Sequence, residues 1–478
     1  MATFQILNFG CRASQADGAA IKKQLLELGL QEAADVAASE VAILNTCTVT
    51  GRADAEVRQL VRRIHRANPR CRILVTGCYA QRSPSEIVQL GGVTWVVGNS
   101  HKHVIAGLIS SDVYQESGVR SQESEAAGQT DLVQIRQLEA IPANSNQSEV
   151  GFPVPLAQTK APQPPLVLVG EISEEFHFAP VFPDDRTRPT LKVQDGCNAR
   201  CSFCVIPSVR GRSRSLAPAK VLEQVRELER SGYKEIVLSG INLGSYGRDL
   251  DRRITFLSLL ERLLNETAIA RLRISSIEPM DVTPSLIKLA AGEPRLAQHF
   301  HIPLQSGCSR ILRLMNRRYW PSQYAERILA IREQIPNAGI GADVMVGFPG
   351  ETVPDHAASA AFIESLPFTY LHIFPYSARP QTPAAVSPQQ VNGRVAHERA
   401  NEIRALLARK RQTFLQAQVG SKLSTLTLDE SQGGERVSLS SNYLKIVLAG
   451  SNLPPNTLVD VQIGRVHEGL LFGFADQG

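Results

Sequence analysis

Three of the eight cysteines in this 478-residue chain fall in one short run, Asp195-Gly196-Cys197-Asn198-Ala199-Arg200-Cys201-Ser202-Phe203-Cys204. The spacing, C-x3-C-x2-C, lets a single tight loop hold three irons of a [4Fe–4S] cluster, which otherwise takes four cysteines. The fourth iron is then open to a substrate or cofactor. A structural zinc site closes on four ligands, and no His or Cys follows here at a suitable short spacing.

Cys11, Cys47 and Cys78 form a second pattern. Each follows a short apolar run that reads as a strand: Phe4–Leu7, Val41–Leu44 and Ile73–Val75. If those strands are parallel neighbours in an open α/β sheet, the loops after them converge on one crevice at the carboxyl edge. Three thiols far apart in sequence would then meet. Cysteines buried simply as small apolar residues are the plainer alternative. Cys71 lies at the opposite end of the third strand and reads as structural. Cys308 opens a helix near the mouth of the second half and reads as a small residue in a capping region.

The elements that must position these thiols come in three blocks. Residues 1–114 alternate strands with helical patterns near 17–28 and 52–67, the second stopped by Asn68-Pro69, which implies a doubly wound parallel sheet. Residues 115–188 turn to Gln, Ser, Glu, Ala and Pro, as in Gln122–Glu125 and Ala161–Pro165, and read as a linker or insertion. Residues 189–419 resume the alternation with six strands near 190–194, 235–239, 271–275, 299–303, 339–346 and 369–374. Six right-handed βα units curl into a partial barrel with its functional residues in the loops after the strands. A long helix near 393–418 closes that unit, and residues 420–478 break into four short alternating segments that fit a small antiparallel β-barrel.

Composition sets the outer bounds. Hydrophobic residues make up 43% and charged residues 20%, ordinary for a globular protein. No run of about 18 apolar residues calls for a membrane span, and the first residues lack a signal-peptide pattern. The expected place is the cytosol, where cysteines more often hold metal than form disulfides. A net charge of +5 permits a nucleic-acid partner without requiring one. Arg58, Arg62 and Arg66 recur on one helical face, and further basic groups stand at Arg210, Arg212 and Arg214 and at Arg313, Arg317 and Arg318.

The C-x3-C-x2-C loop and the six-fold βα pattern resemble the radical S-adenosylmethionine superfamily. Within it, Asn45-Thr46-Cys47-Thr48-Val49-Thr50, Thr76-Gly77-Cys78-Tyr79-Ala80-Gln81, the Leu238–Gly247 and Ser275–Pro279 runs, His301–Gly307 and Asp343–Thr352 resemble the methylthiotransferases. The wording around Cys47 and Cys78 is closest to enzymes that act on N6-threonylcarbamoyladenosine at position 37 of tRNA. Sister groups act on isopentenyladenosine in tRNA or on an aspartate of a ribosomal protein. The sequence departs from the family after Cys11, with Ser14 where an Asn is usual, at Cys308, where Ser is usual, and in its long 115–188 segment.

The resemblance implies two [4Fe–4S] clusters, one on Cys197, Cys201 and Cys204 and one on Cys11, Cys47 and Cys78, with S-adenosylmethionine on the first. It implies a tRNA anticodon loop as substrate, an electron donor, a sulfur donor, and an RNA-binding TRAM-like tail. Phe203 matches the position that packs near the adenine. By their places after successive barrel strands, Gly240, Asn242, Ser276, Glu278, Gln305, Gly350 and Glu351 are expected to contact S-adenosylmethionine. A non-enzymatic RNA-binding protein with structural zinc is the competing class.

Overall fold

The computed structural model describes residues 2–116, 164–172, 187–251 and 253–476. Most of the segment expected to be a linker, including Gln122–Glu125 and Ala161–Gln163, lies outside the described residues.

The first unit is a six-stranded sheet in the order β2-β1-β3-β4-β5-β6, every neighbouring pair parallel. Its strands are β1 (Thr3–Asn8), β2 (Gln31–Glu32), β3 (Val41–Thr46), β4 (Arg72–Gly77), β5 (Val93–Val97) and β6 (Leu166–Leu168). β3 is buried along its whole length, as a central parallel strand covered on both faces must be. On one face Val57, Val61 and Ile64 of the helix Gly51–Ala67 pack on Ala42, Leu44 and Ile73. On the other, Ile21 and Leu25 of the helix Arg12–Glu27 pack with Phe4, Ile43 and Trp95. The first helix starts directly after Cys11, well before the position near 17 that the sequence pattern suggests. β6 comes from the segment expected to be a linker, and it completes the sheet edge.

The second unit carries β7 (Thr190–Lys192), the short antiparallel pair β8 (Gln194–Asp195) and β9 (Arg214–Ser215), then β10 (Glu235–Ser239), β11 (Arg271–Ile274), β12 (His299–His301), β13 (Gly339–Val346) and β14 (Tyr370–Pro375). The parallel strands run in the orders β11-β10-β7 and β12-β13-β14, joined through a single parallel bridge between Leu272 and Leu296. This is the partial barrel of six strands. One continuous apolar core fills the space between strands and outer helices, from Leu191 through Ile236, Leu272, Phe300 and Ile340 to Ile403 of the closing helix Gly393–Gln416.

The tail is a closed barrel in the order β15-β16-β17-β19-β18, with strands Lys422–Gln432, Glu435–Ser440, Lys445–Leu448, Leu458–His467 and Leu470–Ala475 in chain order. Its β16 is not among the expected segments. The expectation of a wholly antiparallel barrel needs one correction, because β17 and β19 pair parallel. Five strands around a ring cannot alternate in direction everywhere, so one neighbouring pair must run the same way.

The tail docks on the amino ends of the barrel strands through buried ions. Glu235, fully buried, accepts from Arg273 Nε at 2.7 Å and pairs with Arg271 and Arg188 at 3.4 Å. Arg273 also donates to the carbonyls of Ser440 and Ser441 in the tail, each at 3.0 Å. Tyr443, held at a φ of 70°, stacks on His299 with ring centres 4.3 Å apart.

Candidate active site

The carboxyl edge of the first sheet brings its three cysteines together. Cys78 follows β4 and Cys47 follows β3 without an intervening residue, and Cys11 precedes the helix Arg12–Glu27. Gly10 sits at φ 91°, and a Cβ there would lie 2.2 Å from the Cys47 Cβ, so only glycine lets the Cys11 loop approach Cys47 this closely. Burial pushes the Cys47 thiol up to about 12, and the neighbouring thiolate charges of Cys11 and Cys78 add to it.

The second trio lies on the barrel loop between β8 and β9. Cys204 is raised to about 12, first by burial and then by Cys201 and Cys197. The Ala199 N–H points at Cys197 Sγ at 3.4 Å, and Arg317 Nη1 donates to Cys201 Sγ at 3.5 Å. Asn316 and Ser202 clamp the loop from outside, Asn316 through the Arg200 carbonyl at 2.6 Å and Ser202 through the Leu314 carbonyl at 2.7 Å.

An ionic network joins the two trios. Arg210 is 2% exposed. Its Nε donates to Cys78 Sγ at 3.3 Å, Nη1 to both Asp195 oxygens at 3.0 Å, and Nη2 to Asp17 at 3.1 Å. Lys192 reaches both Asp17 and Asp195, and Lys102 reaches Asp17 at 2.7 Å. Burial alone would raise the Asp17 carboxyl, but Lys102, Lys192 and Arg210 together hold it well below the usual range. Burial would likewise raise Asp195, but Arg210 and Lys192 hold it at about 2. A buried charge pair is tolerated only where hydrogen bonds satisfy it this fully. Farther out, Arg379 of the barrel and Arg82 both grip Asp54 at the start of the helix Gly51–Ala67, at 2.7 and 3.0 Å.

A cavity of about 1120 Å³ opens beside the barrel trio. Its wall includes Cys201, Asn242, Glu278 and Arg317, and on the sheet side Gln81, Gly170 and Ile172. Of the expected cofactor contacts, Asn242 and Glu278 therefore face it, and Glu278 pairs with Arg317. Asn242 Oδ1, Gln305 Oε1 and Ser275 Oγ are buried without a partner among the described residues. Orphaned polar atoms of this kind call for a ligand. Gln305 also sits at φ 62°, in a break of the regular strand register.

The other expected contacts are not on the cavity wall. Gly240 packs toward Gln194. Gly350 approaches Gln389, and Glu351 is buried against Arg399 and the Gly347 N–H, so its carboxylate serves the loop rather than the cavity. Ser276 is half-buried, with its neighbour Ser275 holding the orphaned hydroxyl. Phe203 packs edge-on against Phe348 with ring centres 6.4 Å apart, on the rim of the barrel core.

Cys71 is buried just before β4, and Cys308 caps the helix Ser309–Leu314 with its thiol on Asp355 at 3.2 Å. Arg58 donates to Tyr79 and pairs with Glu86. Arg62 and Arg66 stand toward the far end of their helix, Arg66 about 22 Å along the axis from Gly51 at ~1.5 Å per residue. Gly51 itself is at the site edge, its N–H on Ser377 Oγ at 3.0 Å. Sequence reasoning misses Arg210, Asp17 and Lys192 as site residues. Arg210 is visible there only as a member of a basic group, since nothing local marks a residue whose partners lie 193 and 132 positions away.

The donor set fits two iron–sulfur clusters. Each trio supplies three thiols and no fourth, with guanidinium or amide donors aimed at sulfur. Among the described residues, no three His, Cys, Asp or Glu side chains are placed to hold one metal ion. A cluster asks for a different arrangement, because each thiolate takes its own iron. No helix among the described residues is long and apolar enough to cross a membrane.

Comparison with known proteins agrees with this layout. Residues 3–98 match the uncharacterized protein family UPF0004, and residues 191–363 match the Radical SAM superfamily. The chain is 34% identical over 468 residues to the threonylcarbamoyladenosine tRNA methylthiotransferase MtaB of Bacillus subtilis, covering 97% of this chain and 94% of that one. It is 33% identical over 390 residues to the tRNA-2-methylthio-N(6)-dimethylallyladenosine synthase of Syntrophobacter fumaroxidans, covering 81% and 76%. Among solved structures, the radical S-adenosylmethionine methyltransferase TsrM of Kitasatospora setae shares the fold, with a TM-score of 0.53 at 14% identity, covering 81% of this chain and 74% of that one.

Proposed function

The chain belongs to the MtaB-type radical S-adenosylmethionine methylthiotransferases, and from that premise we propose that it methylthiolates C2 of N6-threonylcarbamoyladenosine at position 37 of tRNA. The observation that supports this reading is one buried guanidinium, Arg210, which donates to Cys78 of one three-thiol set and to Asp195, two residues before Cys197 of the other.

Cys197, Cys201 and Cys204 would hold one cluster and Cys11, Cys47 and Cys78 the other, three ligands each so that one iron stays exchangeable. When bound, the clusters and S-adenosylmethionine supply the one-electron cleavage, the sulfur and the methyl group. The chain's own residues orient and shield. Asn242, Ser275 and Gln305 offer orphaned polar atoms to the cofactor. Arg317 braces Cys201 and Glu278 together on the cavity wall. Arg210, Asp17, Asp195 and Lys192 lock the sheet to the barrel, which fixes the distance between the two thiol sets. Held this rigidly, the groups act on a substrate presented in one pose.

The substrate base is splayed from the anticodon loop into the cavity, as single-stranded RNA permits. The TRAM-like C-terminal barrel contributes RNA contacts, and the partners are an electron donor and a sulfur donor in the cytosol. A second reading, the same reaction on an isopentenyl-type adenosine, is favoured by the 33% identity to the dimethylallyladenosine synthase. Mass spectrometry of tRNA nucleosides separates the two. Cells lacking this gene should lose the methylthio form of threonylcarbamoyladenosine, and the wild type should restore it while Cys47→Ala and Cys201→Ala should not. Unchanged methylthiolation in the deleted strain would overturn the substrate assignment.

A further inference from the structure

The wall of the 1120 Å³ cavity is rich in arginine, and its guanidinium groups divide into two kinds. Arg317 and Arg248 are paired, with Glu278 and with Asp281, and Arg214 donates to the Arg210 carbonyl at 2.6 Å. Arg200, Arg212 and Arg318 also line the cavity, are exposed, and have no carboxylate partner among the described residues. Exposed arginines without partners are ordinary on an outer surface. Around a cavity they mark where an anion is received.

Arg212 differs from the other two in how its backbone is held. The Gly211 carbonyl accepts from the Cys197 N–H at 3.1 Å, and the Ser213 N–H donates to Asn198 Oδ1 at 3.0 Å. Ser213 Oγ lies within hydrogen-bond reach of both Gln194 and Ser245. The Arg212 carbonyl lies against Gly196, where a Cβ would come within 1.9 Å. The loop is thus fixed on both sides of Arg212, directly against the start of the thiol loop, while its side chain has no carboxylate partner among the described residues. Arg200 lies inside the thiol loop itself, and Arg318 follows an arginine already engaged by Cys201. A cation on a fixed anchor can distinguish substrates, because a charge-assisted, bidentate contact has direction as well as strength.

We propose that Arg212 binds the carboxylate of the threonylcarbamoyl group on the substrate base, and so selects that base over one whose substituent is neutral or absent. The proposal deepens the substrate reading above and rests on it. An adenosine carrying an isopentenyl group offers no anion. Placed in this cavity, it leaves the exposed Arg212 guanidinium to water and forgoes the charge-assisted contact that the carboxylate makes. The backbone phosphates of RNA are the other source of anionic oxygen, and they are common to every tRNA.

The test uses the reconstituted full-length protein and anticodon stem–loops that differ only at base 37. One bears threonylcarbamoyladenosine, one its methyl ester, and one plain adenosine. Wild type should bind the acid form most tightly. Arg212→Gln should weaken binding of the acid form about ten- to a hundredfold and leave the ester and adenosine forms as in wild type. Arg212→Lys, which keeps the charge but loses the fork, should fall between. Iron content and melting temperature check that the variants are folded. Equal weakening for all three RNAs would assign Arg212 to phosphate and overturn the proposal, and so would no change for any. If wild type forms no methylthio product from the acid form, the substrate reading fails and takes the proposal with it. If wild type forms the product and Arg212→Gln keeps its preference for the acid, only the proposal fails.

Discussion

Arg210 Nε, carried by the barrel, donates to Cys78 Sγ at 3.3 Å across the boundary with the N-terminal sheet. The same guanidinium satisfies Asp195 and Asp17, so one side chain couples the placement of both thiol sets. Arg210→Gln leaves two buried carboxylates short of a partner. We expect a loss of about 3–5 kcal/mol in chemical unfolding and reduced iron on the Cys11, Cys47 and Cys78 set. Wild-type stability and full iron in this variant would remove Arg210 from the role of bridge.

Cys71 and Cys308 stand apart from both sets. Cys71→Ser and Cys308→Ser should keep the iron and sulfide content of the wild type, with stability lowered by no more than about 1–2 kcal/mol. Elemental analysis of purified protein reads this directly. A drop in iron to the level of Cys201→Ser would mean that one of the two is a ligand.

The docking of the tail depends on Glu235, and its pH dependence has a definite sign. Burial would raise the Glu235 carboxyl, but Arg273, then Arg188 and Arg271, hold it at about 2, below the ordinary 4.5. A carboxyl depressed in the folded state stabilises fully above its unfolded value, and that contribution fades as pH falls through the folded value. About 3 kcal/mol should therefore be lost between pH ~4.5 and ~2. Urea unfolding across that range should show the loss in wild type. Glu235→Gln should be weaker at neutral pH and flatter below it; an equally steep acid limb in the variant would show that other carboxyls govern it.

Tyr443 of the tail accepts a hydrogen bond from Arg12 Nη2 at 3.1 Å, one residue from Cys11, while its ring lies on His299. Tyr443→Phe removes only the hydroxyl and should cost about 0.5–1.5 kcal/mol. Tyr443→Ala also removes the stacked ring and should cost about 3 kcal/mol or more, with faster proteolysis between barrel and tail. Equal stability of the two variants would mean the ring contributes nothing to docking.

Arg62 and Arg66, far down their helix from the site, should matter little for RNA. The Arg62→Gln/Arg66→Gln double variant should bind tRNA within about twofold of wild type, with an unchanged dependence on salt, because each lost phosphate contact would lower that slope by about 0.7. A lowered slope would place this helix face on the RNA.

The chemistry-bearing residues, and the elements that carry them, are legible in the chain before it folds. Short spacing puts Cys197, Cys201 and Cys204 in one loop, and strand periodicity puts Cys11, Cys47 and Cys78 at one sheet edge; both are local patterns. The six barrel strands are legible too, since an apolar parallel strand between amphipathic helices has one stable packing. β6 escapes the sequence reading because its apolar residues Leu166–Leu168 sit inside a segment read as a linker from its overall composition, and β5 offers them the edge they pair with. The parallel β17–β19 pair escapes it because ring closure, not residue preference, imposes it.

Which charges meet is settled only by the packed fold. On sequence Arg58 is one of three arginines along a helical face, and in the fold Tyr79 and Glu86 engage it; Glu351 is expected at the cofactor, and in the fold Arg399 engages its carboxylate. Arg210 is one basic residue among three until folding makes it the contact between sheet and barrel, whereas Arg212, on the cavity wall, has no carboxylate partner among the described residues. An arginine's own side chain fixes its charge, but its partner is fixed by burial. A charge withdrawn from water must be paired by whatever the fold brings within about 3 Å, and that partner can come from any point along the chain.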